Sequence, residues 1–241
     1  MNTEPHDQTR GDSTPFFSED GPAPLSRNEV AALCLKAARG AGMSWGMAEE
    51  AAFAAAWLVR HGIDGCGHLC AHLEQAQGRE WAELCPDVSA GDWRAKDGHA
   101  LCPIILGATL CDHAALTEGP VADCSITLGQ VDHPILLLPF LDSIARKNGV
   151  LITVSWDGGS VCIGQGADWL QAATGALGRS SADLVLTARQ GVATDLSADR
   201  LPNADTSAEV IHTLNGFAMR TTVPASERSR AGAGSALGDN D

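Results

Sequence analysis

Residues 150–163, with the sequence VLITVSWDGGSVCI, decide the kind of fold that this chain can adopt. Two runs rich in β-branched residues, Val150–Trp156 and Ser160–Ile163, flank the turn signal Asp157-Gly158-Gly159. Glycine at such a position accepts the positive φ angles that tight hairpin turns require. The stretch therefore predicts a β-hairpin, and with it a sheet in the second half of the chain.

Predicted helices and strands alternate on both sides of this hairpin. Strands are favoured where Ile, Leu and Val dominate short runs, and helices where charges and glycine suit the helix dipole and the C-terminal cap. In chain order the predictions are strands over 122–128 and 134–138, a helix that begins at Pro139 and ends before Gly149, a helix over 167–176, a strand over 182–188, and either a helix or a long strand over 209–219. Strands separated by helices predict a mixed sheet with a helical layer.

The N-terminal third of the chain is predicted to be helical. Ser26 and Glu29 have the spacing of a capping box, and the apolar residues after them predict a helix over 26–39. Ser44 can cap a second helix, and a third is predicted over 64–75. The expected fold class is α+β, with an N-terminal helical layer followed by a mixed β-sheet with interspersed helices.

Composition divides the chain into three parts. Residues 1–24 are polar, acidic and interrupted by prolines, which predicts a disordered tail. Residues 25–222 are expected to form a single α+β domain, helical over 25–80 and sheet-rich over 100–222. A C-terminal segment with a glycine-rich tail, 223–241, follows this domain.

The charge balance excludes several classes of function. With 16 basic and 30 acidic side chains the net charge is -14, which argues against a nucleic-acid-binding protein because such proteins need a basic surface. The three lysines lack the Ser or Thr that follows lysine in a phosphate-binding P-loop, and the chain has no tyrosine. No secretory leader and no apolar run of about 20 residues is recognisable, which predicts a cytoplasmic location without a membrane anchor.

Four metal-type side chains lie within seven residues, at Cys66, His68, Cys70 and His72. On a helix the two cysteines share one face and the two histidines another, so all four can surround one ion only outside a helix. The alternative is that the cysteines pack in the core and the histidines are solvated. The eight cysteines of the chain are expected to be reduced thiols that pack as small apolar side chains.

Two local patterns have the residue types of catalytic sites. Gly42–Gly46 has the spacing of a nucleophile elbow around Ser44, but a predicted helix precedes it where the elbow needs a strand, which favours the helix cap. The neighbouring pairs in Cys111-Asp112-His113, Asp123-Cys124 and Asp132-His133 could supply a nucleophile, a base or an orienting acid. Catalytic dyads form in space rather than along the chain, so an ordinary core or loop role remains the alternative.

Longer motifs occur near both ends of the chain. The runs Leu25–Val30 and Ala37–Ala51 (AARGAGMSWGMAEEA) stand near one end, and Arg220–Arg230 (RTTVPASERSR) near the other. Together they resemble a bacterial family described only as domain of unknown function 3726. The resemblance implies no particular activity or cofactor.

The same stretches are rich in Arg, Ser and Gly, a composition suited to holding a small anion. An acidic protein that binds an anion must gather its few cations locally, so we expect Arg39, Arg220 and Arg230 to approach one another. The residues predicted to bind the ligand are Arg39, Ser44, Trp45, Arg220, Ser226 and Arg230.

A second resemblance involves the run Gly62–His68 (GIDGCGH). It is similar to the turn that bears the catalytic histidine in the malate/lactate dehydrogenases outside the Rossmann class, which implies an NAD(P)-linked oxidoreductase as one alternative function.

The leading expectation is a cytoplasmic protein that binds a small anionic metabolite, either as an enzyme whose reaction the sequence does not name or as an accessory subunit. A third possibility is a non-catalytic interaction protein that exposes an apolar patch to a protein partner or to a second copy of the chain.

Overall fold

The computed structural model describes residues 25–166, 168–194 and 204–221. The expectations for the tails 1–24 and 223–241, and for Ser226 and Arg230, lie outside these ranges. The described residues form seven α-helices and four strands. In chain order they are α1 (Arg27–Gly40), α2 (Trp45–Arg60), α3 (Gly65–Gln75), α4 (Pro103–Asp112), β1 (Cys124–Asp132), α5 (Leu138–Asn148), β2 (Val150–Trp156), β3 (Gly159–Ile163), α6 (Trp169–Leu177), β4 (Ser181–Gln190) and α7 (Ala208–Met219). The predicted α+β class is confirmed.

Side-chain caps begin the three N-terminal helices, as their sequences predict. At α1 the Ser26 hydroxyl accepts a hydrogen bond from the Glu29 backbone N–H, and the Glu29 carboxylate accepts one from the Ser26 N–H at 2.8 Å. The Ser44 hydroxyl caps α2 and the Asp64 carboxylate caps α3 in the same manner. Each cap satisfies a backbone N–H that has no partner inside the helix.

The sheet has the strand order β1-β4-β2-β3, and every neighbouring pair of these strands is antiparallel. The predicted hairpin is confirmed by β2 and β3, which pair from Trp156 with Gly159 to Ile152 with Ile163. The prediction of a mixed sheet is wrong for these four strands, since parallel pairing occurs only as isolated bridges from Asp92 and Leu101 to β1.

The sheet is antiparallel because single strands are inserted between the strands that a helix connects. The crossover through α5 joins β1 to β2, which run in the same direction, but β4 lies between them and pairs with both. In the same way β2 separates β3 from β4, which α6 connects. Alternating strands and helices correctly indicate the direction of the connected strands, but they do not show which strands are neighbours.

The predicted strand over 134–138 is also wrong. The first strand extends further, to Asp132, and His133 then takes a left-handed conformation with φ 40° before a 3₁₀ turn over Pro134–Leu137 leads into α5. All four residues of that turn are buried, so the segment lacks the alternation of buried and exposed residues that a strand covered on one face shows. Proline at the first position also favours a helical turn. The segment left open over 209–219 is helical, and Ser207 caps it.

Helix α7 packs on α1 at unusually short range. A Cβ atom added at Gly40 would lie 1.7 Å from the carbonyl oxygen of Phe217, so only glycine permits this approach. Phe217, Leu214 and Ala218 are the buried residues of α7. None of the helices in the described ranges is both long enough and apolar enough to cross a membrane.

Substitution of Gly40 by alanine tests this contact. We expect Gly40→Ala to lower the free energy of unfolding by about 1–3 kcal/mol, the usual cost of overpacking, because the new methyl group collides with backbone. Gly216→Ala is the matched control, since a Cβ there meets no atom within 4 Å. That change should stabilise α7 by up to about 1 kcal/mol. Urea unfolding measures both, and equal stabilities of the two variants would contradict the packing described.

Candidate ligand-binding cleft

A cleft of about 550 Å³ lies between α1, the first residue of α2, and α7. This volume is in the range of small-molecule sites, which are mostly apolar with a few polar groups. The residues that line it are Leu35, Lys36, Arg39, Trp45, Asn215, Ala218, Met219 and Thr221.

The turn between α1 and α2 places the aromatic wall of the cleft. Gly42 has a φ of +95°, which reverses the chain and brings Trp45 back against the end of α1. The Arg39 guanidinium lies over the Trp45 ring, 4.9 Å from its centroid, and donates a hydrogen bond to the Met43 carbonyl. Trp45 is nevertheless 64% exposed, so most of its ring is free to meet a ligand.

The charge of the lining distinguishes this cleft from the others. Among the described residues that line it, the charged ones are Lys36 and Arg39, both cations, and none is a carboxylate. Three other clefts contain carboxylates: one over Ala82–His99, one over Asp87–Gly98 and one on the open face of the sheet around Trp156. In a chain with 30 acidic residues, a cleft whose described charges are both positive has a local positive potential that attracts an anion.

The predicted ligand-binding residues are distributed unevenly around this cleft. Arg39 and Trp45 line it, whereas the Ser44 hydroxyl is engaged as the cap of α2. Arg220 stacks on the Phe217 ring at 4.4 Å from its centroid, one residue before Thr221 of the lining.

The prediction missed Lys36 and the contribution of α7. Lys36 precedes Arg39 by three residues, which is the spacing of neighbours on one helix face, so the sequence held a signal for it. The positions of Asn215, Ala218 and Met219 depend on tertiary packing between distant segments, which no local pattern shows.

The predicted metal cluster is divided among separate contacts. Cys66 lies 3.9 Å from Cys34, sulfur to sulfur, while the Nε2 atom of His72 lies 3.2 Å from the sulfur of Cys102. Within the described ranges, no group of three or more His, Cys, Asp or Glu residues is arranged to hold a metal ion. The segment is helical, and this directs the side chains of Cys66, His68, Cys70 and His72 to different faces.

His72 is a fully buried titratable group of this region. Its Nδ1 atom has no hydrogen-bond partner among the described residues, and its ring packs 6.0 Å from that of His133, centroid to centroid. Burial, with smaller effects of the nearby His133 and Arg79 charges, lowers the pKa of His72 to about 3. Burial likewise raises the pKa of the Cys102 thiol to about 12, so this His–Cys pair is neutral and lacks a thiolate nucleophile.

The neighbouring residues Asp132 and His133 do not form a dyad with each other. Gln75 bridges them: its Nε2 donates to Asp132 at 2.7 Å, and its Oε1 accepts from His133 Nε2 at 3.1 Å. Arg79 forms an ion pair with the buried Asp132 carboxylate, with 3.4 Å between its Nη1 and the Oδ2 atom. These contacts tie α3 to the end of β1, which is a structural role.

The fold and the cleft define a small α+β protein with a cationic, partly apolar cleft on its helical side. Residues 25–102, from the start of α1 to the residue before α4, match the family model described as "Protein of unknown function (DUF3726)", so this part of the chain is similar to that family. No match to the malate/lactate dehydrogenases accompanies it. Neither the curated proteins nor the solved structures contain a match to this chain.

The buried His72 predicts a pH dependence of stability. The unfolded chain titrates His72 near pH 6.5, whereas the folded chain keeps it neutral down to about pH 3. Between these values the unfolded chain binds more protons, so the free energy of unfolding falls as the pH decreases. From pH 7.5 to 5.5 this residue alone should remove about 1.4 kcal/mol.

Urea unfolding of His72→Gln at both pH values measures this contribution. The decrease in the free energy of unfolding between pH 7.5 and 5.5 should be about 1.4 kcal/mol smaller in that variant than in the wild type. In His99→Gln the decrease should equal that of the wild type, because His99 is exposed. An identical pH dependence in the two variants would show that His72 is not held neutral by the fold.

Proposed function

We propose that this protein binds a small molecule with an anionic group and an apolar body in the cleft between α1, α2 and α7, as an enzyme or as an accessory subunit to one. The proposal rests on one cleft of a strongly acidic chain, in which the described lining residues combine two cations with an apolar wall and include no carboxylate. A bacterial cytoplasm is the expected setting, and fractionation of cells that express a tagged chain tests that location.

The lining supplies groups for both parts of such a ligand. The Lys36 ammonium forms no ion pair with a described residue, so it can meet an anion without breaking a contact. The N–H groups of Arg39 that do not contact Met43 can do the same. The cleft also adjoins the first residue of α2, where the helix dipole is positive. Leu35, Ala218 and the Trp45 ring provide the apolar surface, and Asn215 and Thr221 provide neutral hydrogen-bonding groups.

The two alternative functions have less support. The run Gly62–His68 forms the turn before α3 and the first turn of that helix, and no match to the dehydrogenases supports the NAD(P)-linked alternative. An interaction protein would present a wide apolar face, whereas the exposed Trp45 and Met219 side chains belong to a cleft with charged and polar lining.

Two fluorescent probes of similar shape test the proposal. One is 8-anilinonaphthalene-1-sulfonate, an aromatic anion, and the other is N-phenyl-1-naphthylamine, its neutral counterpart. Lys36→Met combined with Arg39→Met should weaken binding of the anion about tenfold or more, the effect of losing one charged hydrogen bond or two, and leave the neutral probe nearly unchanged. Trp45→Ala should weaken binding of both.

Lys96→Met serves as the matched control. Lys96 is an exposed cation that pairs with Asp87 in a different cleft, so its removal changes the net charge of the protein but not the proposed site. If Lys96→Met weakened the anion as much as the double variant, binding would reflect overall charge. If neither probe responded to Trp45→Ala, the cleft would not be the binding site.

A further inference from the structure

Three cysteines lie together under α7, on the side of α1 and α3 that faces the core. Cys34 of α1 and Cys66 of α3 are fully buried with their sulfur atoms 3.9 Å apart, and Cys70 follows Cys66 by one helical turn. All eight cysteines are free, and the other five are distributed over the rest of the chain. The cluster does not belong to the ligand cleft, whose lining contains no cysteine.

We propose that Cys34 and Cys66 are an oxidisable thiol pair, which a low-molecular-weight disulfide such as glutathione disulfide converts into a covalent link between α1 and α3 when α7 moves aside. A disulfide needs its sulfur atoms about 2.05 Å apart, so the pair must close by about 2 Å. Rotation of two cysteine side chains on adjacent helices supplies a movement of that size without unfolding either helix.

The electrostatics of the pair assign the order of the two steps. The contact with the Cys34 sulfur and, to a smaller extent, the nearby Thr206 lower the pKa of Cys66, while the same contact and burial raise the pKa of Cys34. The thiol with the lower pKa reacts first in such an exchange, so the proposal takes Cys66 as the attacking group and Cys34 as the resolving thiol. The pKa of Cys70 is raised to about 11, chiefly by burial, which keeps this third thiol protonated.

Two thiol–disulfide exchange steps form the bridge. The Cys66 thiolate attacks one sulfur atom of the small disulfide R–S–S–R, forms a mixed disulfide and expels the first RS⁻. Cys34 then gives up its proton, attacks the Cys66 sulfur and expels the second RS⁻. Two protein S–H bonds are replaced by one Sγ–Sγ bond, and the small disulfide is reduced to two R–SH that carry the two protons.

Helix α7 and the residues before it control access to the pair. Thr206, just before α7, and Thr213 of α7 lie near Cys66 and Cys70 and act to lower their pKa values. Helix α7 also packs against both α1 and α3. Only three of its twelve residues are buried. Segments with few buried residues detach locally at a lower free energy than global unfolding requires. On this basis α7 is expected to separate from α1 and α3 before the rest of the fold opens.

The test uses the full chain under native conditions. Reduced protein is incubated with glutathione disulfide, its free thiols are blocked with N-ethylmaleimide, and the non-reduced peptides are mapped by mass spectrometry. We expect a Cys34–Cys66 bridge in the wild type and in Cys162→Ala, a matched control on β3. Cys34→Ala should stop at the mixed disulfide on Cys66. A dominant Cys66–Cys70 bridge, or no bridge in the wild type, overturns the assignment.

The variants Gly40→Ala and Gly216→Ala test whether α7 covers the thiol pair. Gly40→Ala, which displaces α7, should speed bridge formation at least about fivefold relative to Gly216→Ala, which leaves the contact intact. If Gly40→Ala fails to fold, the wild type in urea below its unfolding transition replaces it, and bridge formation should accelerate before the global transition begins. Equal rates in both comparisons would show that α7 does not cover the pair.

Discussion

The close approach of α7 to α1 is the constraint on which the functional side of this molecule depends. Glycine at position 40 lets the backbone of Phe217 contact α1 directly, and this contact sets the distance between the two walls of the cleft. The same helix lies over the buried thiols of α1 and α3. One packing contact thus determines both a surface site and the protection of a reactive group beneath it, although the two share no side chain.

Much of the fold could be predicted because its signals are local. Capping residues mark the starts of the first three helices, and the Asp157-Gly158-Gly159 turn fixes the hairpin. These features depend on residues within one turn of each other, so the sequence displays them directly. Strand neighbours are different: whether β4 pairs with β1 or lies at an edge depends on contacts between residues 49 to 64 positions apart, and no local pattern encodes that choice.

The site was predictable to the same extent and for the same reason. Arg39 and Trp45, named from the Arg-, Ser- and Gly-rich stretch near one end of the chain, both line the cleft, and the cation stacks on the ring across a short turn. That they bind a ligand stays a prediction. The α7 wall and the contact of His72 with Cys102 join segments far apart in the chain. The predicted metal cluster is wrong for a local reason, since the helix places the two cysteines on one face and the two histidines on another. Cys66 contacts Cys34 and His72 contacts Cys102 instead.

The insertion of β4 between β1 and β2 also determines the order in which the molecule can assemble. Helices α1, α2 and α3 and the β2–β3 hairpin are built from contacts between neighbouring elements, which form early and at low entropic cost, whereas α7 packs on α1 from the far end of the described chain. Among the four strands, β1 pairs only with β4. The four-stranded sheet therefore cannot form until residues 181–190 are present. A nascent chain therefore holds two separate β pieces until its last strand is made, and the step that joins them is the slow, non-local one.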